Sequence, residues 1–106
     1  MNRFLGLTIF LSLVLFSCSK STEDKLIGSW FDEDRGVTIT MNSDKTSVLS
    51  RNGETRPGVW SFNEENMQLC AGENHSNTDC GYIVNVDKNV LCIEERGDTL
   101  CLNKVK

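Results

Sequence analysis

This 106-residue chain contains one histidine and fifteen acidic residues, but their spacing does not favour an active site. The single histidine, His75, precedes Ser76, and adjacent residues rarely reach the geometry in which a base activates a nucleophile. Glu64-Glu65 and Glu94-Glu95 are sequence neighbours, so on a strand the two carboxylates of each pair point to opposite faces. The acidic stretch 32–34 is more typical of a solvated turn than of a calcium site. We therefore predict no enzyme, no cofactor and no metal site.

Cysteine is the remaining reactive residue type, and four of the five cysteines lie in the second half of the chain: Cys70, Cys80, Cys92 and Cys101. A zinc site is disfavoured because the chain contains no C-x2-C pair and only one histidine. An even number of cysteines in a small exported domain favours two disulfides. Four cysteines allow three connectivities, so the pairing requires a separate argument.

The chain begins with the pattern of an export signal. Arg3 is followed by an apolar run over residues 4–16, which has the length of a signal-peptide core and is too short for a membrane-spanning helix. The alternative is an ordinary secretory signal that happens to end near a cysteine.

The end of this run, Leu15-Phe16-Ser17-Cys18, resembles the lipobox of bacterial lipoproteins. The resemblance implies cleavage after Ser17 and acylation of Cys18, which would hold the protein on a membrane through its acyl chains. It divides the chain into a signal peptide (1–17), an acylated cysteine with a polar tether (18–25) and one domain (26–106). Ser19 is not the aspartate associated with inner-membrane retention, so the resemblance favours the outer membrane of a bacterial envelope.

The length that remains after removal of residues 1–17 suffices for one small domain and no more. The formal charge of the chain is −4, and removal of Arg3 with the signal peptide makes the mature chain more acidic. An acidic balance argues against a nucleic-acid partner and against a basic membrane-binding face.

Residues 26–102 show the period-2 alternation of short strands, with turn residues every eight to twelve positions. We predict an all-β fold of about eight short strands in an up-and-down antiparallel barrel, with an open sandwich as the alternative and no helix after the signal. Asn52-Gly53 predicts a hairpin, and 71–79 is predicted to be the longest polar loop. Tyr82, Val84 and Val86 are predicted to form an inward-facing row.

The last hairpin has a register that can be derived from its turn. If Arg96-Gly97 is a two-residue turn, Cys92 lies opposite Cys101 at a non-hydrogen-bonded position, where side chains approach closely enough for a disulfide. In this register the apolar face is formed by Leu91, Ile93, Leu100 and Leu102, so the disulfide lies outside the core. Cys70 and Cys80 then pair by elimination, across the ends of the polar loop.

Two G-x-W motifs occupy strands of this pattern, Gly28-Ser29-Trp30 and Gly58-Val59-Trp60. In a series of short strands after a lipobox, they resemble the motifs of small bacterial lipocalin-like lipoproteins. The resemblance implies that Trp30 closes one end of a barrel beneath a basic residue from the end of the chain, for which Lys104 is the candidate.

The predicted strands are short, so the interior is expected to be largely filled by large side chains such as Trp30, Trp60 and Tyr82. A pocket, where present, is expected beside Tyr82 and the rim at 74–77. Two functions follow as expectations. The first is a binding module for a small apolar or amphipathic molecule. The second is a protein–protein module of the envelope, such as a lysozyme inhibitor or a subunit of a complex; the stretch 50–56 is loosely similar to the loop of such inhibitors.

Overall fold

The computed structural model describes residues 21–105, which form one short helix and a closed eight-stranded antiparallel barrel. Helix α1 is Thr22–Leu26, and the strands are β1 Gly28–Asp32, β2 Val37–Met41, β3 Thr46–Arg51, β4 Glu54–Asn63, β5 Gln68–Asn74, β6 Asn77–Val86, β7 Val90–Glu95 and β8 Asp98–Lys104. Each strand pairs with its neighbours in the chain, and β8 pairs with β1 to close the barrel. This topology confirms the predicted fold class.

The two ends of the barrel differ, because successive turns of an up-and-down barrel lie at alternate ends. We name them by what they carry. The capped end carries α1 and the turns at 42–45, 64–67 and 87–89. The open end carries the turns at 33–36, 52–53, 75–76 and 96–97.

Two of the open-end turns have the backbone that their sequences predict. Both residues of Asn52-Gly53 and of Arg96-Gly97 have positive φ angles, which is the conformation of a type I′ hairpin turn. Glu95 lies opposite Asp98, and the register continues along β7 and β8 as derived from the sequence. The predicted hairpins are therefore confirmed.

Both disulfides are formed between residues that lie directly opposite each other on neighbouring strands, Cys70–Cys80 and Cys92–Cys101. Their Cα–Cα distances are 4.1 and 4.0 Å, which suits closely spaced cross-strand pairs. The predicted pairing is confirmed, although Cys70 and Cys80 join two paired strands rather than the ends of a loop.

The predicted polar loop at 71–79 is wrong. β5 continues to Asn74 and β6 begins at Asn77, so that only His75 and Ser76 form the turn. The tip of this hairpin is polar on both faces, because both faces meet solvent, and a strand of that kind has no apolar alternation to reveal it.

The core is formed by eight buried apolar residues: Leu26, Trp30, Met41, Trp60, Leu69, Ile83, Leu91 and Leu102. Leu26 belongs to α1 and is fully buried, so the helix is packed into the capped end of the barrel. The side chain of Ser21 caps the helix by accepting a hydrogen bond from the Asp24 N–H at 3.2 Å. The expectation of a tether through residue 25 and of no helix after the signal is therefore corrected. A five-residue helix shows no periodicity, and the burial of Leu26 stabilises it.

At the open end, β4 extends beyond its pairing with β5. β4 pairs with β5 only from Val59 onwards, and residues 54–58 pair with β3 alone. The Trp60 N–H points towards β3, where it donates to the Lys45 carbonyl. Because the backbone groups of successive residues point to alternate edges of a strand, the nitrogen of Pro57 points to the opposite, unpaired edge of β4. Pro57 therefore removes no hydrogen bond from the sheet and protects an exposed edge against pairing with another chain.

Candidate functional site

The capped end is closed by Trp30 and Lys104. The Trp30 indole is fully buried and its Nε1 donates to the Leu26 carbonyl at 2.9 Å. The Lys104 Nζ lies 4.5 Å from the centre of the Trp30 ring and donates to the Ile27 carbonyl at 2.9 Å. Gly28 leaves room for this ammonium, because a Cβ at Gly28 would collide with Nζ. Lys104 thus occupies the position that the sequence resemblance implied for a basic residue.

Trp60 has the same set of contacts on the other side of α1. Its Nε1 donates to the Asn42 carbonyl at 2.9 Å, and the Lys45 Nζ lies 4.3 Å from the ring centre. Lys45 also forms an ion pair with Glu23 of α1, with 2.6 Å between Nζ and Oε1. Helix and barrel are therefore joined by two tryptophan–lysine pairs, which makes the capped end a packed closure.

Two carboxylates in the capped-end turns have lowered pKa values. The pKa of Asp44 is lowered because its carboxylate accepts hydrogen bonds from the hydroxyl and the N–H of Thr46. The pKa of Asp87 is lowered because its carboxylate accepts the N–H groups of Asn89 and Val90. Both residues stabilise turns, and their carboxylates are exposed rather than directed at a site.

Tyr82 does not line the interior. Its side chain is 50% exposed on the outer face, and the neighbouring Gly81 and Ile83 are buried. A register shift between Ile83 and Asn85 interrupts the alternation of β6, so Val86 packs against the core while Tyr82 does not. The predicted inward row of 82, 84 and 86 is wrong because a β-bulge displaces the face by one residue.

The interior contains a cavity of about 90 Å³ beneath the core. Its wall is mainly apolar, and two exposed acidic residues, Asp79 and Glu95, also line it. Gly81 lies in this wall, and a side chain there would collide with Ile93. This volume is well below the roughly 300–1,000 Å³ of small-molecule sites. The interior is thus largely filled, as expected.

A larger groove, of about 390 Å³, lies on the concave face of the β3–β4 hairpin at the open end. It is lined by Leu49, Arg51, Asn52, Glu54 and Arg56. Leu49 is 42% exposed although it is apolar. Among residues 21–105 the ion pairs are Arg35–Asp32 and Lys45–Glu23, so neither arginine of the groove has a carboxylate within 4.0 Å.

The groove and the cavity are adjacent on the inward face of the sheet. Leu49 lies opposite Ile39 across β2 and β3, and opposite Arg56 across β3 and β4. Residues opposite each other share a face of the sheet, and Ile39 lines the cavity. An apolar surface therefore runs from the cavity through Ile39 and Leu49 to the two guanidinium groups.

The other residues considered for chemistry are not brought together. His75 and Ser76 are exposed at the tip of the β5–β6 hairpin, and the Ser76 N–H donates to the Asn74 side chain. The buried carboxylate of Asp32 accepts the N–H groups of Asp34 and Arg35 and stabilises its own turn. Within residues 21–105 no three histidine, cysteine or acidic side chains are grouped closely enough to bind a metal ion. Cys18 lies outside the described residues.

The sequence did not single out Leu49, Arg51 and Arg56 as one site. A signal is nevertheless present. Leu49 and Arg51 are two residues apart before the Asn52-Gly53 turn, so they share a face of the strand, and after the turn Arg56 lies opposite Leu49 on that face. A tight two-residue turn places such residues on one face of a hairpin.

No protein-family model, curated protein or solved structure matches the chain. α1 is far shorter than a membrane-spanning helix, and no other helix occurs among residues 21–105 that could cross a bilayer. A functional assignment therefore depends on the geometry of the open end.

Proposed function

We propose that this protein is a non-enzymatic binding module, anchored by lipid in the bacterial cell envelope, whose open end binds a small amphipathic molecule. The observation that carries the proposal is the position of the 390 Å³ groove beside the 90 Å³ cavity, with Leu49 of the groove directly opposite Ile39 of the cavity wall. The groove falls within the size range of small-molecule sites, about 300–1,000 Å³. The cavity by itself does not.

The groove and the cavity fit different parts of a ligand. The cavity accepts only a short apolar group, because its volume is that of a few atoms. Most of the molecule would lie in the groove against Leu49, whose exposed side chain would lose contact with water on binding.

The proposed anchor would determine which end of the barrel meets the membrane. Cys18 precedes the first helical residue, Thr22, by four positions, which an extended chain spans in about 14 Å at most. An acyl chain on Cys18 would therefore hold the capped end near the bilayer surface. The open end would face the compartment that supplies the ligand, and by resemblance the bilayer is the outer membrane.

Native mass spectrometry of residues 19–106, oxidised and produced in a bacterial periplasm, tests the proposal. We expect an additional mass of a small molecule that is lost on denaturation. Leu49→Glu should reduce the fraction of loaded protein because it places a charge on the apolar wall of the groove. Val84→Glu is the matched control, since Val84 is 53% exposed on the outer barrel surface. Protein without added mass, which also binds no added amphiphile, would contradict the proposal.

One observation favours a protein partner as the second candidate. The tip of the β3–β4 hairpin is exposed and its β4 edge is unpaired, so a partner protein can contact this element. An inhibitor of a lysozyme-type hydrolase or a subunit of an envelope complex would use it. Inhibition of lysozyme, lost in Asn52 and Arg56 variants, would favour this function over the first.

A further inference from the structure

The β3–β4 hairpin places two guanidinium groups on the concave side of the open end. Arg56 lies opposite Leu49, which shares a face with Ile39 of the cavity wall, and Arg51 lies two residues further along that face. Both arginines line the groove. Their positions are fixed by strand pairing on a type I′ turn, so the hairpin presents them without support from a flexible loop.

The charge of this groove differs from that of the whole chain. The chain has a formal charge of −4, whereas the groove lining has two arginines and one acidic residue, Glu54. Neither guanidinium is neutralised by a carboxylate within 4.0 Å in the described part of the chain. An unpaired guanidinium presents two parallel N–H groups that match carboxylate, sulfate and phosphate oxygens.

The cavity has the opposite charge preference. The charged residues that line it, Asp79 and Glu95, are acidic and exposed, so they would disfavour an anionic group at the cavity. An amphipathic molecule with an anionic head is thereby oriented, with its apolar end towards Ile39 and its head at the hairpin.

From these observations we infer that the ligand is an amphipathic anion whose acidic group is bound by Arg51 and Arg56. The inference rests on the proposed function, because it specifies the ligand of the same site. Leu49 lies between the two recognition elements and contacts the apolar segment next to the head group.

Two fluorescent probes with one aromatic skeleton provide the test: 1-anilinonaphthalene-8-sulfonate, which is anionic, and N-phenyl-1-naphthylamine, which is uncharged. For the folded protein we expect the sulfonate probe to bind more tightly, and its affinity to fall as salt is added. Arg51→Gln and Arg56→Gln should each weaken the sulfonate probe about tenfold or more, since hydrogen bonds between charged groups are lost. Binding of the uncharged probe should change little.

Arg96→Gln is the matched control, because Arg96 is an exposed arginine of another open-end turn and does not line the groove. It should leave both probes unaffected. A cooperative thermal transition and a native near-UV spectrum of each variant exclude binding of the probes to an expanded state.

The outcomes separate the inference from the proposed function. If both probes bind and neither depends on Arg51 or Arg56, or both weaken equally, the anionic ligand is refuted while a binding module remains. If the native protein binds neither probe, the proposed function fails and the inference fails with it.

Discussion

At the residue scale, the capped end repeats one contact, in which the lysine has a different second partner each time. Trp30 and Trp60 each donate an indole hydrogen bond to a backbone carbonyl and each lie beneath a lysine ammonium. Lys104 also donates to the Ile27 carbonyl inside the closure, whereas the side chain of Lys45 is 40% exposed. The same chemistry should therefore contribute different amounts to stability.

Lys104→Met should lower the free energy of unfolding by about 1–3 kcal/mol, because it removes a cation–π contact and leaves the Ile27 carbonyl without its donor. Lys45→Met should cost less than about 1 kcal/mol, since water screens an exposed ion pair and an exposed cation–π contact. Urea unfolding monitored by circular dichroism measures both. Equal losses in the two variants would show that the hydrogen bond to the Ile27 carbonyl does not distinguish the pairs.

The contacts and orientations of single side chains are the features that the sequence predicts least completely. The contact of Lys104 with Trp30 was expected only from a family resemblance, because no local pattern links residues 74 positions apart. Strict alternation along β6 predicts that Tyr82 points inwards. The bulge between Ile83 and Asn85 cannot be recognised from the amino-acid types. The groove was not anticipated, since alternation of arginine with leucine in a short strand is common on solvated surfaces.

At the scale of elements, local chemistry determines how much of a hairpin can be derived. The sequence predicts the pairing of every residue in the β7–β8 hairpin, because a two-residue turn fixes the register and places the two cysteines opposite each other. The β5–β6 hairpin was missed beyond its disulfide, and α1 was missed entirely. In both cases contacts with the rest of the barrel, rather than local preference, determine the conformation.

We expect one disulfide to stabilise the whole domain and the other to stabilise mainly its own hairpin. Their sequence separations are 10 and 9, so loop closure predicts about 2–3 kcal/mol for each. Between Cys92 and Cys101, Ile93 and Leu100 both pack against the core, whereas between Cys70 and Cys80 only Ala71 does so among the described residues. Replacing Cys92 and Cys101 by alanine should lower the melting temperature of the whole domain.

Replacing Cys70 and Cys80 by alanine should also lower the melting temperature. It should in addition raise the hydrogen-exchange rates of amides 73–81 above those of the rest of the barrel. Exchange measured by mass spectrometry on both double variants distinguishes the two effects. A reductant should reproduce the combined loss of thermal stability. A melting curve unchanged by reductant would contradict the prediction.

At the scale of the whole molecule, the barrel and α1 form one folded unit. The last strand meets the first at only two paired positions, Trp30 with Lys104 and Phe31 with Asn103, whereas the other neighbouring strands pair at four to six. α1 covers the end of the barrel where this short seam lies. The domain therefore begins at the cap of the helix, Ser21, rather than at the first strand.

A chain that begins at Ser21 should unfold at the same temperature as one that begins at Ser19. A chain that begins at Gly28 should be less stable by about 2–5 kcal/mol, because it lacks the buried Leu26 side chain and the carbonyl that accepts from Trp30. Leu26→Ala in the longer chain separates the contribution of the side chain from that of the backbone. Calorimetry on the three truncations and this variant is the measurement, and equal stability of all would make α1 a dispensable linker.

The pairing of β1 with β8 has a consequence for a chain that leaves a ribosome or an export channel with its N-terminus first. Seven hairpin-linked strands can assemble as they emerge, since each needs only the strand before it. The sheet cannot close until Lys104 has emerged, and until then both of its edges remain open to pairing with other chains. A premature stop codon near the 3′ end of the reading frame would therefore release a nearly complete protein that is prone to aggregate.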